Sequence, residues 1–189
     1  DLALLEAKAR VKAELARMRS CAPRWTPHEG PQREFYESDC EEVLYGGAAG
    51  GGKTACAVAL ANPWAKNRDL RMLILRRRSV DLDDLIDKAK KIYRDGDLAS
   101  PRPYGGVAAE TVFVASPAHT ATFPSGARVR FDHCQNIDDW EKYQGQEYSI
   151  IVFEELTQFL EKQYLEVKSR LRSSSPGLPA AVNRPCSAS

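Results

Sequence analysis

The stretch GGAAGGGKT, residues 46–54, sets five glycines and two alanines in front of a lysine and a threonine. Glycine inside a helix or strand costs about 0.5–1 kcal/mol relative to alanine, so such a cluster disfavours both and must serve a backbone that has to stay bare. Within it, Gly47-Ala48-Ala49-Gly50-Gly51-Gly52-Lys53-Thr54 fits the pattern G-x-x-x-x-G-K-[ST]. That pattern describes a loop whose N–H groups cradle phosphate oxygens at a helix N-terminus, where side chains would block the approach. Lys53 is then placed to reach the β- and γ-phosphates, and the Thr54 hydroxyl to ligate Mg²⁺. The flanks agree: Val43-Leu44-Tyr45 reads as a short strand running into the glycines, and Thr54 to Leu60 as a helix that stops near Pro63.

Outward from this loop the chain alternates. Met72-Leu73-Ile74-Leu75 has the length of a buried strand, and Ser79 is a candidate N-cap for a helix from Val80 to about Tyr93. Asp81, Asp83 and Asp84 at its start and Lys88, Lys90 and Lys91 near its end suit the helix dipole. Residues 95–110 form a Gly/Pro-rich loop. TVFVA and TATF follow, and PSG at 124–126 turns the chain into ARVRF, the pattern of a small antiparallel hairpin. Ser149 to Phe153 is another buried strand and Leu160 to Leu171 a helix. The expected architecture is α/β, with a mostly parallel central sheet flanked by helices.

Upstream, residues 1–20 predict an amphipathic helix, with Leu4, Ala7, Val11, Leu15 and Met18 on one stripe. It either docks on the domain or meets a partner. Residues 21–179 form the main domain, and 180–189 a small, polar, frayed tail. A net charge of +1 excludes a uniformly basic protein that holds nucleic acid by bulk charge. The five cysteines are scattered, odd in number and without C-x-x-C, which suits free thiols in a reducing cytosol better than disulfides or zinc. No apolar run is long enough for a membrane span, and the start is too charged for a secretion signal. His28, His119 and His133 lack metal-ligand spacing, and Tyr143, Tyr148 and Phe153 read as packing.

A second element narrows the chemistry. Ile150-Ile151-Val152-Phe153-Glu154-Glu155 is an apolar strand ending in two adjacent acids. A carboxylate at the strand tip, Glu154, can position Mg²⁺ beside Thr54. The next, Glu155, can orient and polarise a water for in-line attack on the γ-phosphate. Lys53 and Glu155 are therefore the candidate catalytic residues, and Thr54 and Glu154 the candidate metal ligands. The chain has no N-K-x-D stretch of the kind that reads guanine, so ATP is favoured.

EVLYGGAAGGGKT, RMLILRRR, FPSGARVRF, YQGQEY and IIVFEELTQF together resemble, in order and spacing, the ATPase domain of the large terminase subunits of tailed bacteriophages. The likeness runs over roughly residues 23–179. It implies a P-loop NTPase fold of the additional-strand, catalytic-glutamate (ASCE) type, with ATP and Mg²⁺ as cofactors. It further implies a motor that drives double-stranded DNA into a procapsid in the host bacterial cytoplasm. The implied partners are portal protein, small terminase subunit and further copies of the chain in a ring. WTPHEGPQREF is similar to the family's adenine-binding segment, which would set Trp25 or Pro27 against the base and Gln32 at its edge. From its residues alone, Trp25 is either a core plug or a platform for the base.

Three departures stand out. Glu154 occupies a position that is usually Asp in the family. Gln144, before Gly145, sits where many relatives carry an arginine that completes a neighbour's active site. Arg76, Arg77 and Arg78 are candidates to replace it, or form a solvated basic cluster; with Arg128 and Arg130 they could also meet DNA phosphates. The family's coupling motif and nuclease domain are not recognisable after the helix that follows Glu155, so no nuclease activity is expected. The alternatives are a truncated or remnant terminase that binds nucleotide without efficient hydrolysis, and a helicase-like DNA-dependent ATPase. In isolation the chain is expected to be a monomer.

Overall fold

Arg71–Arg76, β1, is apolar at its four interior positions because it is buried on both faces. It lies at the centre of three parallel strands in a computed structural model that describes residues 25–47, 50–94, 111–172 and 178. On one side β1 pairs with β4, Arg128–His133, in the register Arg71↔Arg128 to Arg76↔His133. On the other it pairs with β5, Ile150–Phe153, in the register Met72↔Ile150 to Leu75↔Phe153. Two further strands, β2 (Val112–Val114) and β3 (His119–Thr122), add antiparallel to β4, giving the order β2-β3-β4-β1-β5. The sheet is thus parallel at one end and antiparallel at the other, with the expected hairpin turning at Pro124-Ser125-Gly126.

Alternation along β1 divides the core. Met72 and Ile74 face one side, where α2 (Lys53–Ala59) and α3 (Leu82–Arg94) supply Val58, Leu82, Leu85, Ile86, Ala89 and Tyr93. Tyr93 is fully buried, and its hydroxyl donates to the Val58 carbonyl at 2.7 Å, bolting α3 to α2. Leu73 and Leu75 face the other side, against Tyr143, Tyr148 and Val167, the last from α4, Glu161–Lys168. Tyr143, Tyr148 and Phe153 are packing residues.

Three local expectations are corrected. Val43-Leu44-Tyr45 is not a strand. No neighbouring strand pairs with it among the described residues, and a three-residue apolar run cannot hold an extended conformation without a ladder. Leu44 is 79% exposed; Tyr45 instead stacks on Phe35 of α1, Pro31–Glu37, at 4.9 Å, and Glu42 accepts from Tyr164 and Lys168 of α4. Ser79 does not cap α3; it opens a 3₁₀ turn, Ser79–Asp81, that runs into it. The last helix ends at Lys168, and Leu171 turns back to lie parallel beside Tyr148, with Arg172 N–H donating to the Tyr148 carbonyl at 2.8 Å.

Cys40 is disulfide-bonded. Cys56 and Cys134 are free, and with Cys40 bonded the cysteines are not all free thiols as the sequence had suggested. The amphipathic stretch 1–20, loop 95–110 and tail 180–189 lie outside the described residues. No helix among the described residues is long and apolar enough to cross a membrane.

Candidate phosphate and metal site

The three parallel strands end together, and the chemistry expected from the sequence collects at or beside those carboxyl ends, as is usual in open α/β sheets. The glycine loop enters α2 through Gly52, whose φ of 71° is a left-handed conformation that a residue with a Cβ adopts at a cost. A Cβ there would also stand 2.6 Å from Gln32 Nε2, so a larger residue would displace the amide that donates to the Gly52 carbonyl. No side chain caps the start of α2. Lys53 Nζ reaches back over the loop and donates to the Gly47 carbonyl at 2.8 Å. Gly47, Gly50, Gly51, Gly52, Lys53 and Thr54 are thus one local unit; Ala48 and Ala49 lie outside the described residues.

Thr54 carries the decisive contact. Its hydroxyl donates to Glu154 Oε1, joining positions 100 residues apart in the chain. Glu154 is buried, and its side chain spans from the end of β5 to the first turn of α2. Among the described residues no group of three or more His, Cys, Asp or Glu gathers around a metal. A cation here would therefore be held by one hydroxyl and one carboxylate, with its other positions filled by phosphate oxygens and water. That donor set fits Mg²⁺, which takes few protein ligands and keeps several waters.

Glu155 follows in a left-handed conformation, φ 59° and ψ 54°, the only non-glycine residue with positive φ among those described. Such backbone strain is uncommon and collects at functional sites. Its Oε2 accepts from Gln158 Nε2, and its Oε1 lies 3.4 Å from Arg76 Nη1. Arg76 also donates through Nε to Glu154 Oε2 at 2.7 Å, so one guanidinium bridges both acids.

The segment expected to hold the base is folded onto α1. Trp25 is partly buried, with its ring 5.1 Å from that of Tyr36, and Pro27 is buried. Gln32 is 4% exposed; its Oε1 accepts from the His28 N–H at 2.6 Å and its Nε2 donates to the Gly52 carbonyl at 3.1 Å. Gln32 thereby ties this segment to the glycine loop and has one amide N–H left for anything else. Cys56, behind the loop, is buried, and burial pushes its thiol up to about 12, an inert packing group.

Arg77 donates to Gln163 Oε1 at 2.8 Å, and Arg78 makes a two-point contact with Asp81. Arg130 is bound to Asp132 and to Gln146 Oε1 at 2.9 Å. Every one of these has a partner within the chain, which leaves Arg128, exposed at the opposite end of β4, as the hairpin arginine open to solvent. Gln144 is exposed, beside Gly145 at φ 72°.

Sequence reasoning missed two contributors. Gln158 was unassigned, although a polar residue three positions after an acid is a common local donor. Gln163 is fully buried and donates to the Cys134 and Asn136 carbonyls while accepting from Leu160 N–H and Arg77. It pins the turn after Glu155 to the loop after β4, and nothing in a helix-forming EKQYLEVK run marks it as a hub. No protein family, no curated protein and no solved structure matches the chain.

Proposed function

We propose that this chain is an ATP-binding and ATP-hydrolysing domain, of the kind found in the large subunit of a phage DNA-packaging terminase. The observation that carries the reading is the Thr54–Glu154 contact. A glycine loop alone could be flexible by chance, but a loop whose Thr54 meets a buried strand-end acid from far along the chain supports a phosphate-and-metal site. In it, the loop and Lys53 bind the phosphates, Thr54 and Glu154 hold Mg²⁺, and Glu155 orients the attacking water. Mg²⁺ would neutralise the charge on the transferred phosphoryl group. Double-stranded DNA, portal protein, small subunit and a ring of copies in the host cytoplasm belong to the same proposal. DNA contact by this chain should be weak, sequence-independent and steeply salt-sensitive, because few arginines are open to solvent.

A second reading, nucleotide binding with little turnover, is favoured by Gln144 and by the occupied oxygens of Glu155. An arginine supplied in trans contributes about 10³–10⁵ in rate, and Gln144 cannot supply it. Calorimetric titration with ATP and Mg²⁺ tests the shared core of both readings. The parent should bind and Lys53→Ala should lose binding while keeping its melting temperature; equal affinities would remove the phosphate-loop assignment. Turnover by the binding-competent parent then separates hydrolase from binding module.

A further inference from the structure

We infer that Arg76 sets the metal threshold of this site: it is the internal cation that holds Glu154 until a divalent metal displaces it, and it passes that event to Glu155. The inference rests on the reading of Thr54 and Glu154 as the metal-side residues.

Arg76 closes β1 one step beyond the Leu75↔Phe153 pair, which sets it beside Glu154. Its side chain is 12% exposed and that of Glu154 9%, so their contact is sheltered from solvent. Glu155 is 50% exposed and its contact with Arg76 longer, 3.4 Å against 2.7 Å. All four carboxylate oxygens accept from protein donors: Thr54 and Arg76 on Glu154, Arg76 and Gln158 on Glu155. Two carboxylates share one guanidinium, leaving the cluster a net charge of −1, and Asp84 of α3 adds a more distant negative group.

A divalent ion at Thr54 and Glu154 must take oxygen lone pairs that Thr54 and Arg76 now use. It also brings a second cation onto a carboxylate that already holds one, and in a sheltered site that repulsion is poorly screened. Arg76 has one other anionic partner within reach, Glu155. Metal and guanidinium therefore compete for Glu154, and each metal-binding event drives the guanidinium toward Glu155. Two consequences follow, of opposite sign. Removing Arg76 should strengthen metal binding. Removing the charge of Glu155 should weaken it, because Glu154 is then the only carboxylate in contact with Arg76.

The test reads metal binding, not turnover. Calorimetric titration of a non-hydrolysable ATP analogue across a range of Mg²⁺ concentrations gives the half-saturating Mg²⁺ for each variant. Arg76→Gln should lower it about fivefold or more, the lower end of typical coupling between sites. Glu155→Gln should raise it, and that rise should vanish in the double variant Arg76→Gln/Glu155→Gln, since the effect runs through Arg76. Arg76→Lys keeps the charge but not the fork, so it should hold a threshold near the parent's while losing the response to Glu155→Gln. This second variant keeps the test decisive if Arg76→Gln does not fold. An unchanged threshold in Arg76→Gln, or a Glu155→Gln effect that persists without Arg76, overturns the inference alone. A parent that binds no analogue overturns the phosphate-site reading and the inference with it.

Discussion

Two buried acids flank the end of β1 and have opposite surroundings. Asp132 sits opposite Leu75 on β4, and Glu154 directly follows Phe153, the residue opposite Leu75 on β5. Their side chains are almost equally buried, 11% and 9% exposed. Asp132 accepts from Arg130 at 2.6 Å, from Lys142 at 3.0 Å and from the His133 N–H at 2.8 Å. Two cations serve one carboxylate there, and both of its oxygens are satisfied by the fold. At the other strand end, one cation serves two carboxylates. Burial alone does not separate a structural acid from a functional one. On the proposed reading, what separates them is whether the protein supplies the counter-charge or leaves part of it to a ligand.

The largest effect expected from this contrast is on turnover. Glu155→Gln preserves shape but is far too weak a base, so hydrolysis should fall about 10²–10⁴-fold while ATP still binds. Single-turnover measurement with pre-bound ATP checks it, and parental rates would return Glu155 to the structural class.

Asp132→Asn should instead act on stability. Breaking a buried pair costs about 3–5 kcal/mol, and because Arg130 and Lys142 remain partly exposed we expect about 2–4 kcal/mol here. Scanning calorimetry should show that loss with ATP affinity unchanged. If Asp132→Asn lost ATP affinity at full stability, the division between the two acids would fail.

The same acid gives a pH signature. Burial by itself would raise the Asp132 pKa, but the His133 N–H, Lys142 and Arg130 outweigh it and hold the carboxyl below its ordinary range. A lowered folded-state pKa means stability present above the unfolded value, about 3.9, and lost as pH falls through the folded one. The parent should therefore lose stability on acidification below about pH 4 more steeply than Asp132→Asn, as denaturant midpoints across pH would register. Parallel acid limbs would mean that Asp132 is not protected as its contacts imply.

The smallest effect probes the strained backbone at Glu155. Glu155→Gly and Glu155→Ala both remove the carboxylate, but only glycine relaxes the left-handed conformation. After allowing for the extra chain entropy of glycine, Glu155→Gly should be the more stable by about 0.5–1 kcal/mol. Chemical denaturation of the pair checks it, and an alanine variant of equal stability would mean that the turn relaxes without cost.

The site was legible in proportion to how local its parts are. Gly47 to Thr54 and Ile150 to Glu155 each carry their meaning in consecutive residues, because a bare loop before a helix and acids after an apolar strand are properties of short segments. The same locality misled at Val43-Leu44-Tyr45, where an apolar triplet before the glycines read as a strand. A strand exists only with a neighbour to accept its hydrogen bonds, and that is a property of the sheet.

The sequence by itself therefore determined that a bare glycine loop before a helix and a paired-acid strand end are present, since both follow from backbone freedom and side-chain type over a few residues. It also determined the alternation that buries β1 on both faces. Only the tertiary structure decided which arginine meets which acid. Arg76, Arg77 and Arg78 are chemically identical neighbours, yet they go to Glu154 and Glu155, to Gln163, and to Asp81. Parallel pairing of β1 with β5 sets Arg76 beside acids 78 and 79 residues away, and no property of an arginine in isolation encodes that distance.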